Sequence, residues 1–408
     1  MSASLPSHVW ENGISVTPPE EFAARQQRVS RELEARGAQA MVFFSSDAMF
    51  YLTGAPLIPT ERPMALIYQT GGEKAFFVPR LELEHAQLYV DFPVRCYPEY
   101  PDETHPMQHL ANYLKELGLA ERALAADSDG YPGVYGYRGP SLSQALDRDD
   151  LILLPTMIRD LKVHKSAFEL ELIRESARWS NYGLALLQER TRPGLREYDV
   201  SFPSGNDAAQ TMLQTLGPRY RPAALTDSGV MVGYRGQIGR HSYFPHAVTT
   251  NAMFHKGDLL GAYSSAIVMG YLAELERNFF LGEPDAQQQK YYALTVELQR
   301  TALEAIRPGA LCSDVDRAVR QFYRDNGVEA CWRHHTGHSL GSGMHENPVL
   351  DIGDHHVLEP GMVFSVEPGL YVEGVGGFRL SDTVAIHEDG VELVTYYSRD
   401  LEHLVIEC

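Results

Sequence analysis

Cysteine is scarce in this 408-residue chain and widely scattered: Cys96, Cys312, Cys331 and Cys408 have no close neighbours of their own kind. That spacing excludes a zinc knuckle or a disulfide framework, and reduced thiols are expected. No apolar run approaches the length of a membrane span, and the opening stretch MSASLPSHVWENG has no basic region followed by an apolar one. A membrane partner is therefore not expected, and a cytoplasmic location is. Positive charge is also short, with 35 Lys and Arg against 54 Asp and Glu and a net charge of −19. Such a surface repels a phosphate backbone, so no nucleic-acid partner is expected. The remaining composition, 44% hydrophobic and 22% charged, is that of a globular protein, long enough to divide into two domains.

The pattern along the chain is α/β at first and α+β afterwards. PPEEFAARQQRVSRELEARG opens on Pro and acids and ends at Gly37, which predicts a helix. QAMVFFSS, DAMFYLTG, RPMALIYQ and EKAFFVP read as strands separated by turn residues. Alternation of helix and strand to about residue 155 suggests a small doubly wound domain. A long amphipathic helix then begins near Ser166, a plausible N-cap with Glu169 three residues on. The boundary falls just before it, giving domains of residues 1–160 and 161–408. Within the second, a helix followed by Arg-Pro-Gly occurs twice, around Gly194 and around Gly309, and hints at an internal duplication with a site between its halves.

One short stretch carries the chemical question. In GYLAELER, Gly270 to Arg277, a strand places Glu274 and Glu276 on one face and Ala273, Leu275 and Arg277 on the other. Two carboxylates about 7 Å apart on a buried face repel. A proton, a metal or a cationic ligand must lie between them. Further polar residues follow in glycine-bounded segments: His246 in YFPHAVTT, His338 and His345 in TGHSLGSGMHENP, Glu367 in SVEPGLY and Arg379 in GGFRLSD. GMVFSV before Glu367 reads as a buried strand, and Gly337, Gly341 and Gly343 suggest close backbone approach. A lone histidine or a lone buried glutamate is ordinarily structural; several such segments in one domain are harder to explain that way.

With those motifs in place, the sequence resembles the pita-bread superfamily of creatinase, prolidase, aminopeptidase P and methionine aminopeptidase over essentially its whole length. The matching pieces are FYLTG, VHKSAFELELIRESA, TGHSLG, HENP, LEPGMVFSVEPGLYV and GGFRLSD. The resemblance implies an α/β N-terminal domain and an α+β C-terminal pita-bread domain with internal pseudo-twofold duplication. The peptidase members hold two metals on five ligands. Carried over position by position, these are Tyr263, Glu274, His338, Glu367 and Ser381, so two ligand positions have become a phenol and a hydroxyl, which are poor ligands.

Creatinase is the branch without metals, and the resemblance there implies a metal-independent hydrolase, with no cofactor, acting on a C–N bond of a small guanidino or amidine compound. His246 would shuttle the proton, and Glu276 and Glu367 would grip the cationic group. Arg62 would hold a substrate carboxylate across a homodimer, with Glu274, His338, His345, Arg379 and Tyr263 lining the substrate site. Departures exist: Thr60 replaces an aromatic residue, and ENPVLDIGD lacks the second arginine of that branch. Two alternatives stand beside this expectation. One is an Xaa-Pro peptidase with a single metal, manganese, iron or zinc, on Glu274, His338 and Glu367. The other is a non-catalytic binding protein on the same fold.

Overall fold

The computed structural model describes residues 17–218, 220 and 229–408, so the proposed N-terminal segment MSASLPSHVWENG lies outside the described residues. The described residues divide into two units, Thr17–Leu161 and those from Lys162 onward. No helix is long and apolar enough to cross a membrane among the described residues.

In the first unit, helix Pro19–Ala35 has Pro at its first position and Glu20 and Glu21 in its first turn, where a proline costs no hydrogen bond and acids complement the helix dipole. A mixed six-stranded sheet follows, in the order β4-β3-β2-β1-β5-β6. Its strands are β1 (Ala40–Phe43), β2 (Ala65–Gln69), β3 (Lys74–Pro79), β4 (Val94–Tyr97), β5 (Leu124–Ala126) and β6 (Ile152–Leu153). Every residue of β1 is buried, with Met41 and Phe43 in one apolar cluster and Ala40 and Val42 in another, so both faces of the sheet are covered.

DAMFYLTG departs from the strand expected of it. It is the helix Ser46–Thr53. The Ser45 hydroxyl accepts from the Ala48 N–H, and Gly54, at φ +75°, closes the helix in the left-handed conformation. Ala48, Met49, Tyr51 and Leu52 are all buried, so burial on most sides erased the helical period from the sequence.

The second unit opens on helix Ala167–Arg190, whose Ser166 and Glu169 form a reciprocal capping box. This helix and Ala286–Ala305 are the two that precede the Arg-Pro-Gly segments, and each is followed by another helix, Glu197–Leu216 and Cys312–Asp325 respectively. The central sheet runs β11-β10-β12-β15-β9-β8-β7. These strands are β7 (Val230–Gly233), β8 (Leu259–Val268), β9 (Tyr271–Leu281), β10 (Gly337–Ser339), β11 (Glu346–Leu350), β12 (Val363–Val366) and β15 (Ser381–His387). The pair β13 (Gly369–Val372) and β14 (Gly376–Arg379) forms a separate two-stranded ribbon between β12 and β15 in sequence. At Gly337 a Cβ would lie 2.0 Å from the Ser365 carbonyl oxygen, so only glycine lets β10 sit this close to β12.

The β8–β9 hairpin is the centre of the unit. Its register pairs Tyr263 with Glu276 and Ser265 with Glu274, and β15 adds Ser381 opposite Glu276. Arg277 points the other way, fully buried against Asp382 at 2.8 Å, with the carbonyls of Glu276, Ser381, Tyr397 and Ser398 accepting from its other N–H groups. The alternation read from GYLAELER is the one observed.

Candidate active site

The sheet gathers Glu274 from β9, His338 from β10 and Glu367, one residue past β12, into a buried cluster whose ligand atoms lie within 4.8 Å of one another. His338 Nε2 stands 3.2 Å from Glu367 Oε1 and 3.5 Å from Glu274 Oε2. His338 Nδ1 faces the Ser339 carbonyl at 3.1 Å. A carbonyl only accepts, so Nδ1 carries a proton and Nε2 is the ring atom turned toward the two carboxylates. Neither Nε2 nor Glu274 Oε2 makes a hydrogen bond among the described residues, although both are buried.

The electrostatics reflect this crowding. Burial, with the charges of Glu367 and Glu276 added, pushes the Glu274 carboxyl up to about 8. Burial acts against a charged His338, but the adjacent Glu367 and Glu274 outweigh it and raise the imidazole to about 9. Glu367 moves the opposite way: burial opposes its ionisation, yet His338 and Arg379 hold it well below the usual carboxylate range.

These residues fit one divalent ion. Ligand atoms about 2.1 Å from a tetrahedral ion lie about 3.4 Å apart, close to the separations from Nε2 to the two carboxylate oxygens. The set of two carboxylates and one imidazole suits manganese, iron or zinc. A second ion does not fit. Tyr263 is buried, and burial drives its phenol far above its ordinary value, so it stays protonated. Ser381 Oγ is 2.7 Å from Ser365 Oγ and already hydrogen-bonded.

Glu276, expected to face a cationic ligand, faces cations that the chain itself supplies. Arg379 donates from Nη2 to Glu276 Oε1 at 2.6 Å and also pairs through Nε, while its Nη1 lies 3.7 Å from Glu367 Oε2. Arg235 pairs with the same Glu276 oxygen and stacks its guanidinium 4.3 Å over the Tyr263 ring. Arg235 is not among the residues expected from the sequence, where its signal is no more than an arginine before a glycine in GYRGQ.

The remaining expected residues fall as follows. His345 stacks on His338 with ring centroids 3.8 Å apart, at the exposed edge of the cluster. His246 is exposed, and its charge reaches His345. His334, unremarked in the sequence, accepts or donates at 2.9 Å to the buried Tyr371 hydroxyl beside Arg379. Arg62 lies in the first unit, paired with Glu99 at 2.7 Å and with Glu61. Thr60 Oγ1 accepts from the Arg62 N–H at 3.3 Å.

Comparison with known proteins agrees with this geometry. Residues 171–388 match the model of metallopeptidase family M24, and residues 25–161 match that of the creatinase/prolidase N-terminal domain. The putative dipeptidase YkvY of Bacillus subtilis is 26% identical, the match covering 92% of this chain and 99% of the relative. The Xaa-Pro dipeptidase of Pyrococcus furiosus is 28% identical, covering 81% and 87%. Among solved structures, dipeptidase PepE from Mycobacterium ulcerans superposes with a TM-score of 0.79 at 26% identity, covering 96% of this chain and all of the other. These findings correct two expectations. The relatives are named dipeptidases and the matching family is one of metallopeptidases, which overturns the metal-independent, creatinase-like hydrolase of guanidino compounds. The expected absence of a cofactor falls with it, since the family is one of metallopeptidases and Glu274, His338 and Glu367 are grouped so that they could hold a metal ion.

Proposed function

Because the chain belongs to metallopeptidase family M24, to which more than half of it matches, we propose that it hydrolyses Xaa-Pro dipeptides with one divalent ion held by Glu274, His338 and Glu367. The observation that carries this reading is the pair of buried ligand atoms without hydrogen bonds, His338 Nε2 and Glu274 Oε2, turned toward each other. Leaving both unpaired would cost several kcal/mol, on the order of 1–3 kcal/mol for each group, unless a proton or an ion lies between them, and in a chain of a metallopeptidase family the ion is the occupant we assign. When bound, such an ion supplies Lewis acidity and a water that ionises near neutral pH.

The chain's own residues hold that chemistry in place. Arg379 bridges Glu276 and Glu367 and fixes the carboxylate that faces His338. His338 is locked in one tautomer by the Ser339 carbonyl. His345 closes the exposed side of the imidazole by stacking on it. In the reaction the water oxygen bonds to the scissile carbonyl carbon, the C–N bond to proline breaks, and one water proton ends on the leaving nitrogen. The named Xaa-Pro dipeptidases among the relatives support the substrate class.

The test is hydrolysis of Ala-Pro and Gly-Pro by the full-length protein after chelation and after addition of manganese, iron or zinc. Activity that disappears on chelation and returns with about one ion per chain is expected. No cleavage of any Xaa-Pro dipeptide with any of the three metals sinks the reading.

A further inference from the structure

Resting on the dipeptidase reading, we infer that Arg235 takes the place of a second metal ion, donating N–H to the carbonyl oxygen of the substrate as negative charge develops there. Three observations converge on this residue.

The first is charge. Glu274, Glu276 and Glu367 face Arg235, Arg379 and a single dication, an arrangement that leaves one positive charge to meet an oxyanion. A second dication would add two more beside a fixed guanidinium. The residues that would ligate it, Tyr263 and Ser381, are a protonated phenol and a hydroxyl bonded to Ser365. The site is built for one ion and a guanidinium.

The second is placement. Arg235 is pinned on two sides, through Nη2 by Glu276 and across its face by the Tyr263 ring, and Tyr263 stands directly opposite Glu276 in the hairpin. Its Nε is buried with no hydrogen-bond partner among the described residues. A guanidinium has five N–H groups in a rigid fork, and here Nη2 is held by Glu276 while the Nε–H beside it has no protein partner among the described residues. Donors fixed before the reaction at the point where charge appears cost nothing to reorganise when it does.

The third is backbone strain. Arg235 sits at φ +49° and Gly236 at φ +75°, and the Gln237 N–H bonds the Tyr234 carbonyl at 2.8 Å. Two central residues with positive φ mark a type I′ turn, whose first central position favours Asn, Asp or Gly. A branched-free but bulky arginine there is held in a conformation it rarely adopts, a pattern that clusters at functional positions. Glycine would satisfy the turn without strain; arginine is there for its side chain.

In the step itself, the water oxygen bonds to the carbonyl carbon and the C=O π pair moves onto the carbonyl oxygen. Arg235 donates a hydrogen bond to that oxygen and forms or breaks no covalent bond. The pair then returns, the C–N bond breaks and the prolyl nitrogen takes a water proton.

The test uses full-length, manganese-loaded protein and the variants Arg235→Gly and Arg235→Lys, with three measurements. Turnover of Ala-Pro is split into kcat and KM; affinities for free proline and for a phosphinic Ala-Pro analogue, which carries an oxyanion in place of the scissile carbonyl, are measured by calorimetry; and bound manganese is counted. Arg235→Gly should lose about 100- to 1000-fold in kcat with KM little changed, and a comparable factor in affinity for the phosphinate. Proline affinity and one manganese per chain should be retained. Arg235→Lys should recover part of both losses, and millimolar guanidinium should partly rescue Arg235→Gly. Because glycine relaxes the turn, Arg235→Gly is expected to fold; Arg235→Lys carries the same test if it does not. Full phosphinate affinity in both variants, beside an active wild type, overturns the inference while leaving the dipeptidase reading intact. A wild type that neither cleaves Ala-Pro nor binds the phosphinate overturns both.

Discussion

His338 Nε2 and Glu274 Oε2 stand 3.5 Å apart, both buried, and neither makes a hydrogen bond among the described residues. A nitrogen lone pair facing a carboxylate in a low-dielectric site is repulsive until a proton or a cation lies between them. Glu367 and Glu274 outweigh burial and raise the imidazole to about 9, while burial and the charges of Glu367 and Glu276 raise the Glu274 carboxyl to about 8, so each group gains proton affinity from the crowded, buried acids around it.

Glu274→Gln keeps the side chain's size and removes its charge. It is expected to lower manganese affinity by more than the roughly 10- to 100-fold that losing even an indirect support of a ligand costs. Thermal unfolding provides the measurement. At a hundredfold excess over Kd, manganese should stabilise the wild type by about 2.7 kcal/mol, and the shift should vanish in the variant. An equal shift in both proteins would place the ion elsewhere.

Arg277 and Asp382 form an ion pair with no exposure on either side chain, on the face of β9 opposite the site. Arg277→Met leaves a buried carboxylate with Arg399 as its one cationic partner among the described residues. A loss of about 3 kcal/mol in denaturant unfolding is expected, with the steepness of the transition unchanged. A loss below about 1 kcal/mol would mean that Arg399 alone satisfies Asp382.

Lys165, next to the start of helix Ala167–Arg190, buries its ammonium 3.1 Å from Glu346, and Glu346 in turn accepts from the Gly343 N–H at 2.8 Å. The pair therefore ties this helix to the loop carrying His345. Lys165→Met should destabilise by about 3–5 kcal/mol because it strands a buried carboxylate, and adding Glu346→Leu should restore part of the loss. A double variant no better than the single one would show that packing, not the stranded charge, sets the cost.

Asp127 in the first unit accepts from the N–H groups of Phe44 and Ser45 at 2.9 and 3.0 Å. Burial nevertheless outweighs those bonds and pushes its carboxyl up to about 6. The folded state thus holds the proton more tightly than the unfolded chain does. Its contribution is fully present below about pH 4 and is lost as pH rises through 6, a decline of roughly 3 kcal/mol. Unfolding followed between pH 4 and 7 should show that slope in the wild type and not in Asp127→Asn. A stability that rises over this range in the wild type but not in the variant would contradict it.

The sequence by itself determined what depends on local pattern. The capping box from Ser166 to Glu169 spans only four residues and formed as read. The alternation in GYLAELER is a property of any strand, so Glu274 and Glu276 had to share a face. The motifs around His338 and Glu367 named the superfamily. Where burial is complete, local pattern fails: DAMFYLTG lost its helical period and was read as a strand, and only its caps, Ser45 and Gly54, kept the signal. Which cation resolves the repulsion between Glu274 and Glu276 lay beyond local reading altogether. Tertiary structure separated the two acids' partners, giving Glu274 to His338 and Glu276 to Arg379 and Arg235. Arg235 is 41 residues from Glu276 and Arg379 is 103, and no periodicity relates them. They meet because the β8–β9 hairpin is flanked by β7 on one side and β15 on the other, so charge balance in the site is set by strand order, which only the folded chain possesses.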